Sequence, residues 1–435
     1  MSGGWTAVLI YILPMLLVWG VYGFARRRRH EVACAKLSAS RDAGLTEPAS
    51  LHPVIDPDLC IGCATCVDAC PEGQILGLLN GKATLVDPTS CIGHGACREA
   101  CPQDAITLVL GTATRGVEIP MVDSDFQSNV PGIYVAGELG GMGLIRNATV
   151  QGCQAMDAIA ASCRGNPEEM LDVLIVGAGP AGIAASLRAR ERGLRCITIE
   201  QDTLGGTVAH YPRGKVVMTA PVRLPLFGTV KVRETSKEAL LGLWRKVLGR
   251  TGVEIRFDEQ LTAIEQSGGG FLATTSRGGY RCAKLLLAIG RRGTPRKLGV
   301  PGEDRAKVVY RLAAPEQYRG QRILVLGGGD SALEAALSLA AEPGTTTTLS
   351  YRGTAFSRAK AKNRERVAEA EANSALQVLL ESRVTEISTD HVTLETLGGT
   401  KELANDAVII CAGGILPIPL LRAAGIEIET RHGEV

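Results

Sequence analysis

The chain has 435 residues, 47 Lys and Arg against 45 Asp and Glu, 52 glycines and 4% aromatic residues. A chain of this length is expected to hold two or more domains, and its balanced charge argues against a nucleic-acid or other polyanionic partner. Abundant glycines with few aromatic side chains favour α/β domains with tight turns over a protein-binding module.

The N-terminal segment Trp5–Phe24, "WTAVLIYILPMLLVWGVYGF", carries no charged residue and is followed at once by "RRRRH". This pattern predicts a transmembrane helix over 5–24, and the positive-inside rule keeps the rest of the chain in the cytoplasm. The expected location is therefore the inner (cytoplasmic) membrane, single-pass, with the catalytic domains facing the cytoplasm. The alternative is a buried helix of a soluble domain; a cleaved signal peptide would carry its positive charge first. Residues 25–52 read as a linker.

Seven of the 13 cysteines lie between Cys60 and Cys101, which indicates metal ligation rather than a disulfide framework. Residues 60–71, "CIGCATCVDACP", have the spacing C-x2-C-x2-C-x3-C-P, and residues 91–102, "CIGHGACREACP", repeat it with one change. The segment resembles the two-cluster bacterial ferredoxins, which implies a small α+β ferredoxin-like domain over 53–110 with two [4Fe-4S] clusters. The resemblance implies ligands Cys60, Cys63, Cys66 and Cys101 for the first cluster, and Cys91, Cys97 and Cys70 for the second.

The change in the second repeat places His94 where the family has its second cysteine. Three arrangements remain open: the imidazole ligates the fourth iron and raises the potential, the iron is missing and leaves a [3Fe-4S] cluster, or the ligand is not from the protein. A surface histidine beside a degenerate site is the fourth possibility. Zinc is a weaker alternative, because zinc does not need this run of cysteines.

The run "LDVLIVGAGPAGIAASLRARERGLRCITIE", residues 171–200, reads strand, G-x-G-x-x-G, helix, strand, acid. Gly177 makes the tight turn, Gly179 lets a pyrophosphate approach, and Gly182 permits close helix–strand packing. Glu200 stands where an acid meets an adenosine ribose. The pattern resembles the FAD site of flavoproteins with two dinucleotide-binding domains.

A second unit follows at 321–353, "QRILVLGGGDSALEAALSLAAEPGTTTTLSYRG", in which Gly327, Gly329 and Ala332 form G-x-G-x-x-A. No acid ends its second strand, and Arg352 and Arg358 stand there or close behind. A guanidinium pairs with a 2′-phosphate that a carboxylate would repel, so the sequence favours NADPH over NADH. A solvated charged surface is the alternative for both arginines.

The order of these units resembles thioredoxin-reductase-like flavoproteins, closest to the branch with bacillithiol-disulfide reductases, over residues 110–435. The resemblance rests on the two glycine motifs and on "LLLAIGRRGTPRKLGVPGED" and "VIICAGGILP". It implies an α/β fold with two Rossmann-type domains: FAD-binding over 171–295, NAD(P)-binding over 296–411, and a return to the FAD domain over 412–435. Gly206, with His210 and Tyr211 after it, is expected near the isoalloxazine, although packing under the ring is equally compatible.

One segment is out of order. Residues 130–152, "VPGIYVAGELGGMGLIRNATVQG", resemble the passage that closes the FAD domain in that family, yet they precede its opening. We therefore expect a circularly permuted FAD domain, with 111–170 as its displaced C-terminal part, cut at a surface hairpin. Gly137 and Glu138 stand at the glycine–acid position, where the family has aspartate, and Arg146, Asn147 and Ala148 open the flavin-facing helix. The alternative is an independent α/β piece over 112–165.

The predicted function is a membrane-anchored flavin/iron–sulfur oxidoreductase that moves electrons between NAD(P)H, FAD and [4Fe-4S] clusters to a ferredoxin-like, quinone or membrane acceptor. The first alternative, a small-disulfide reductase, lacks a C-x-x-C outside the ferredoxin segment, and the second is a membrane-tethered redox sensor. No catalytic side chain is assigned, the direction of electron flow stays open, and a homodimer is implied only by resemblance. Single cysteines most compatible with core packing are Cys153, Cys163, Cys196, Cys282 and Cys411.

Overall fold

The chain folds into two compact units, one of residues Met1–Gly116 with His432–Val435 and the other of Val117–Arg431. The computed structural model describes residues 3–48, 51–91, 93–114, 116–141, 143–163, 169–211, 216–218, 221–232, 234–291, 293–312, 314–357 and 359–433.

The first unit is a long helix with a small α+β body. In chain order it contains α1 (Gly3–Asp42), β1 (His52–Ile55), α2 (Thr65–Asp68), β2 (Leu76–Leu79), β3 (Lys82–Leu85), α3 (Ala96–Glu99) and β4 (Ile106–Val109). Strands β1 and β4 pair antiparallel, and so do β2 and β3. Cysteines from both repeats share the buried core with Leu76 and Ile106. The two short helices each follow a cysteine loop.

The second half of α1 packs on the β2–β3 hairpin. Ala33 is buried, and a side-chain carbon added at Gly77 of β2 would lie 2.7 Å from its Cβ. Lys36 Nζ donates to Gln74 O at 2.8 Å and pairs with Asp87 at 3.1 Å, where the Asp87 side chain is 8% exposed. Residues 25–42, expected as linker, are therefore helical because they bury a small-residue face and an ion pair against this hairpin.

No helix among the described residues is both long enough and apolar enough to cross a membrane. The prediction of a transmembrane helix over Trp5–Phe24 is therefore wrong, and so is the inner-membrane location that depends on it.

The first part of the second unit contains the FAD-side sheet. Its first elements are β5 (Val117–Pro120), β6 (Ile133–Val135), α4 (Ile145–Ser162), β7 (Leu171–Val176), α5 (Pro180–Glu191), β8 (Cys196–Ile199), β9 (Val216–Met218), β10 (Val222–Leu224), β11 (Gly228–Val230), β12 (Glu234–Ser236), α6 (Lys237–Thr251), β13 (Leu261–Ser267), β14 (Gly270–Thr275), β15 (Gly278–Leu287) and β16 (Thr294–Pro295). The sheet has the order β13-β14-β15-β7-β8, and β6 also pairs with β15. Strands β6, β7, β8 and the end of β15 run parallel and are buried on both faces, as continuous apolar strands require.

The second Rossmann-type sheet follows. Its elements are β17 (Val308–Val309), β18 (Arg322–Leu326), α7 (Asp330–Ala340), β19 (Thr346–Ser350), α8 (Ala361–Ala372), β20 (Gln377–Leu379), β21 (Arg383–Ile387), β22 (His391–Thr396), β23 (Gly399–Ala404), β24 (Ala407–Ile410), β25 (Gly414–Ile415), α9 (Ile418–Ala423) and β26 (Ile428–Arg431). Five parallel strands are ordered β17-β24-β18-β19-β20, and β21-β22-β23 form an antiparallel sheet. The α/β fold with two Rossmann-like domains is confirmed.

The last strand of the unit returns to its first. Strand β26 pairs antiparallel with β5, so that Arg431 lies opposite Val117. Asn129 Nδ2 donates to Gly425 O at 2.9 Å, and Asn129 Oδ1 accepts from Glu427 N–H at 2.9 Å. Apolar side chains of β6 share one buried core with those of β7, β15 and α9. Residues 117–139 and 418–431 therefore belong to one body of structure.

Candidate functional site

The cysteines assigned to the first cluster surround one cavity. Cys60, Cys63, Cys66 and Cys101 all line one pocket of the first unit. Burial raises the pKa of Cys66 to about 11, and the neighbouring thiols of Cys60, Cys63 and Cys101 add to the shift. Four sulfurs facing one space fit the Cys₄ set of a [4Fe-4S] cluster. Among the described residues, no three His, Cys, Asp or Glu side chains converge on a single metal ion.

Hydrogen bonds reach three of these four sulfurs. Ala83 N–H donates to Cys60 Sγ at 3.4 Å, and Ala105 N–H donates to Cys101 Sγ at 3.3 Å. Thr65 Oγ1 donates to Cys63 Sγ at 3.2 Å, and this bond lowers the pKa of the Cys63 thiol. Donors aimed at sulfur stabilise the thiolate and tune a cluster's potential.

The cysteines assigned to the second cluster also lie together. Burial raises the pKa of Cys91 to about 11, with smaller contributions from Cys97 and Cys70. Burial likewise raises the pKa values of Cys70 and Cys97. Burial lowers the pKa of His94, and the Glu72 carboxylate opposes that shift. Glu72 also acts on Cys70 and Cys91, so it is close to the same group.

The second cysteine loop holds two buried polar atoms that have no hydrogen-bond partner in the structure: His94 Nε2 and Ser90 Oγ. Buried polar atoms are nearly always paired with protein, water or a ligand. His94 lies in the same loop as Cys91 and Cys97, and an imidazole nitrogen with thiolates is a donor set that suits a bound metal group.

The glycines of the first dinucleotide motif form a cradle at the end of β7. A side-chain carbon at Gly177, whose φ is +110°, would lie 2.4 Å from Ala288 O, and one at Gly182 would lie 1.8 Å from Gly177 O. A side-chain carbon at Gly179 would meet nothing within 4 Å. Gly177 and Gly182 are therefore required by packing, whereas Gly179 keeps open the space that a pyrophosphate needs. Gly206 also lies against this loop, because a side-chain carbon added at Gly206 would lie 3.1 Å from Gly179 Cα.

Glu200 lies at the end of β8, beside this cradle. Ala178 N–H donates to its Oε2 at 2.7 Å, and Asp202 N–H donates to its Oε1 at 3.0 Å. Burial raises the pKa of Glu200, and these two hydrogen bonds oppose the shift. The carboxylate therefore ties the glycine loop to β8, next to the position where an acid binds ribose in such sites.

The displaced segment lies on the same cradle. A side-chain carbon at Gly137, φ +84°, would lie 3.0 Å from the Cβ of Ala181 in α5, and one at Gly152 of α4 would lie 2.1 Å from Ala181 O. Ala148 is buried in a core shared with Ala181. At the start of α4, Arg146 is exposed and Asn147 is half-buried. Helix α4 therefore packs directly on the dinucleotide helix.

Glu138 faces an arginine that the sequence analysis did not single out. Burial raises the pKa of Glu138, and the charge and backbone N–H of Arg291 oppose the shift. Arg291 Nη1 also donates to Glu118 O at 2.8 Å, so it joins β5 to the end of the FAD-side sheet. The only signal in the sequence was its place directly after "AIG".

His210 and Tyr211 lie where the two Rossmann-type domains of the second unit approach each other. His210 Nε2 is 3.1 Å from Asp202 Oδ2, and His210 Nδ1 is 2.7 Å from Arg311 Nη1. Burial raises the pKa of Tyr211, and Glu138 and Glu334 add to the shift. Glu334 belongs to α7, so Tyr211 is close to acids of both domains.

The second dinucleotide motif repeats the design of the first. Gly327 has φ +144°, and a side-chain carbon there would lie 2.4 Å from Cys411 O and 3.0 Å from the Cβ of Ala332. A side-chain carbon at Gly329 would meet nothing within 4 Å. Arg352 is exposed two residues after the end of β19. Arg358, the second predicted arginine, lies outside the described residues.

Of the single cysteines of the second unit, Cys153 and Cys282 are buried, whereas Cys163, Cys196 and Cys411 are half-buried. Burial raises the pKa of Cys153, Cys163 and Cys196, and it raises that of Cys282 to about 12. None of the described cysteines forms a disulfide. A raised pKa disfavours the thiolate that disulfide exchange requires, so these residues are poor nucleophiles.

Comparison with known proteins agrees with this layout. Residues 174–434 match the pyridine nucleotide-disulphide oxidoreductase family, and residues 52–102 match the 4Fe-4S dicluster domain. The chain is 30% identical over 251 residues to a ferredoxin–NADP reductase of Ignicoccus hospitalis, covering 56% of this chain and 77% of that protein. It is 31% identical over 275 residues to a ferredoxin–NADP reductase of Thermus thermophilus, covering 59% and 77%.

A further relative is the bacilliredoxin reductase Bdr of Bacillus subtilis, 25% identical over 270 residues, with 60% of this chain and 82% of that protein covered. Among solved structures, the bacillithiol disulfide reductase Bdr of Staphylococcus aureus has the same fold, with a TM-score of 0.53, 24% identity, and coverage of 60% and 82%. The chain therefore belongs to the pyridine nucleotide-disulphide oxidoreductase family, as an FAD- and NAD(P)H-dependent oxidoreductase joined to a 4Fe-4S dicluster domain.

Proposed function

We propose that this protein transfers electrons between NADPH and a ferredoxin-type redox partner, by way of FAD and its own two iron–sulfur clusters. The observation that carries the proposal is the presence, in one chain, of an open FAD cradle at Gly179 and a cavity lined by four cysteines. The named activity of two relatives, ferredoxin–NADP reductase, supports the same class of partner. Covalent joining keeps the dicluster domain at high effective concentration for the flavoprotein.

Bound FAD would supply the step between two-electron nicotinamide chemistry and one-electron cluster chemistry. The chain's own residues bind and orient. Gly179 and Gly329 leave space for two pyrophosphates, and Glu200 fixes the loop beside the first. Arg352, exposed two residues after the end of β19, supports a preference for the 2′-phosphate of NADPH.

Reduction of a small disulfide is the second candidate, because the chain covers 82% of a bacilliredoxin reductase. The single cysteines argue against an exchange mechanism, since burial raises the pKa of those in the FAD-side domain and disfavours their thiolates. The electron-transfer function uses all of the cysteines in the first unit's core, and it is the better supported of the two.

We also propose that the FAD domain is circularly permuted. Four contacts support this: β5 with β26, β6 with β15, α4 with α5, and Arg291 with Glu118. The register sets Arg431 opposite Val117, so a short hairpin turn would rejoin the two strands. Cutting a chain at an exposed hairpin leaves the core intact.

The test of the electron-transfer function is an anaerobic NADPH titration followed by visible absorption and low-temperature EPR. We expect the flavin absorbance to bleach and a reduced-cluster signal to follow. The matched control is Cys66→Ser, which removes a buried first-cluster ligand in the first unit and leaves the FAD cradle unchanged. This variant should still bleach the flavin. Wild-type flavin that bleaches while the clusters stay oxidised would contradict the proposal.

A further inference from the structure

The two cysteine loops of the first unit have the same backbone conformation. In the first loop Gly62 has φ +71° and Ala64 has φ +66°, and in the second loop Gly93 has φ +74° and Gly95 has φ +83°. A short helix, α2 or α3, starts directly after each left-handed residue. The residue between the two left-handed positions is Cys63 in one loop and His94 in the other. His94 is therefore presented as Cys63 is.

Cys63 faces a cluster cavity, because it lines the same pocket as Cys60, Cys66 and Cys101. The equivalent loop carries His94 toward the second group of cysteines. Glu72 provides an independent marker, since its charge acts on His94 and also on Cys70 and Cys91. The position of His94 in its loop and its proximity to Glu72 therefore both place it near the second group of cysteines.

Both loops pack tightly at their first glycine. A side-chain carbon at Gly62 would lie 2.0 Å from Gly81 O, and one at Gly93 would lie 2.4 Å from Leu51 O. In each loop the residue before the ligand position is therefore required to be glycine, so both loops keep the same backbone conformation.

His94 Nε2 is buried and has no hydrogen-bond partner. An unpaired buried polar atom is destabilising, and folded cores seldom keep one without a ligand. An imidazole nitrogen is a good ligand for iron. Ser90 Oγ, in the same loop, is a second buried atom without a partner.

We propose that His94 Nε2 is the fourth protein ligand of the second cluster, which is thus a [4Fe-4S] cluster held by Cys70, Cys91, Cys97 and His94. This inference rests on the dicluster part of the proposed function, and not on its flavin part. A neutral imidazole in place of a thiolate removes one negative charge, so the second cluster has a higher potential than the first.

The residue two positions after the ligand also differs between the loops, in a way that suits a thiolate in the first loop and an imidazole in the second. Thr65 donates a hydroxyl hydrogen bond to the Cys63 sulfur, whereas Ala96 stands two residues after His94. A thiolate gains from such a donor, but a neutral imidazole that coordinates through Nε2 has no lone pair left for it.

The first experiment is pulsed EPR on the whole protein reduced anaerobically with dithionite, so that neither NADPH nor flavin is needed. Histidine labelled with ¹⁵N identifies the nucleus. We expect a strongly coupled imidazole nitrogen on one of the two clusters in the wild type and in His30→Ala. His30 is the matched control, because it lies on α1 and contacts Leu78 O in the same unit. The coupling should vanish in His94→Ala and in His94→Cys.

The second experiment is redox titration of the same proteins. His94→Cys should keep two [4Fe-4S] clusters, with the potential of one shifted to more negative values. His94→Ala should lose one iron per chain and show the signal of an oxidised three-iron cluster. His94→Cys keeps the test valid if His94→Ala does not fold.

A wild-type protein that shows the oxidised three-iron signal, or that lacks a coupled imidazole nitrogen, would overturn the proposal. So would His94→Cys with both potentials unchanged. These outcomes are distinct from a failed NADPH titration, which would overturn the electron-transfer function and leave the dithionite results standing. A protein without any cluster signal after dithionite would overturn both.

Discussion

Replacing Gly152 by alanine tests whether the displaced segment packs as part of the FAD domain. Gly152 lies in the interior of α4, and the added Cβ would lie 2.1 Å from Ala181 O and 2.9 Å from Ala181 C. An ordinary carbon–oxygen contact is about 3.3 Å or longer, so α4 and α5 must separate by roughly 1 Å. The obstacle is backbone of the dinucleotide helix, which cannot rotate aside.

The magnitude follows from two opposing contributions. Overpacking costs about 1–3 kcal/mol, and a contact this short with backbone belongs at the upper end. Replacing glycine by alanine inside a helix gains about 1 kcal/mol. We therefore expect Gly152→Ala to lower the free energy of unfolding by about 2 kcal/mol, which lowers Tm by roughly 4 °C in a domain of this size.

The control is the same substitution at Gly242, inside α6, where an added Cβ meets nothing within 4 Å. Only the helix-propensity gain remains there, so Tm should rise by about 2 °C. The assay is thermal unfolding followed by circular dichroism, with the flavin-to-protein absorbance ratio measured for both variants. Gly152→Ala should also retain less FAD, because α5 begins at the FAD cradle. A Gly152→Ala protein as stable and as flavin-rich as the wild type would refute the packing of α4 on α5.

Three further predictions concern the cofactor sites. Gly179→Val should fold, because the position is open, but it should retain less FAD, measured as the flavin-to-protein absorbance ratio. Gly329→Val should keep FAD and raise KM for NADPH about tenfold, since overpacking costs about 1–3 kcal/mol. Equal loss of FAD in both variants would contradict the two-site assignment. Arg352→Gln should lower the NADPH-to-NADH ratio of kcat/KM about tenfold, because a charge-assisted hydrogen bond contributes about 1.5 kcal/mol; an unchanged ratio would remove Arg352 from the site. Thr65→Val should make the first-cluster potential more negative by up to roughly 60 mV in a redox titration, and no shift would show that the bond to Cys63 does not tune it.

The motifs with a fixed spacing were predictable from the sequence because their chemistry requires that spacing. Gly177 and Gly182 are needed by backbone contacts that any strand–turn–helix of this type repeats. The resemblance to two-cluster ferredoxins likewise implied a set of four thiols that line one pocket, including Cys101 from the other repeat.

Partners that are distant in sequence were not predictable, because they have no local signal. Arg291 becomes informative only when folding brings it to Glu138 and Glu118. Residues 25–42 were expected as linker because mixed charge and small residues are typical of linkers. The helix is stabilised instead by tertiary contacts, because Ala33 and Lys36 pack against the β2–β3 hairpin.

The contact between β5 and β26 has a consequence for the order in which the protein can fold during synthesis. Asn129 and Gly425 hydrogen-bond across 296 positions of the chain. Strand β5 leaves the ribosome early, yet its partner β26 is the last strand of the second unit to be made. Closing a loop of this length costs more chain entropy than any local contact, and such non-local pairing slows folding. Among the paired strands of the second unit, β5 therefore waits longest for its partner, and its unpaired edge is the one that a chaperone would protect.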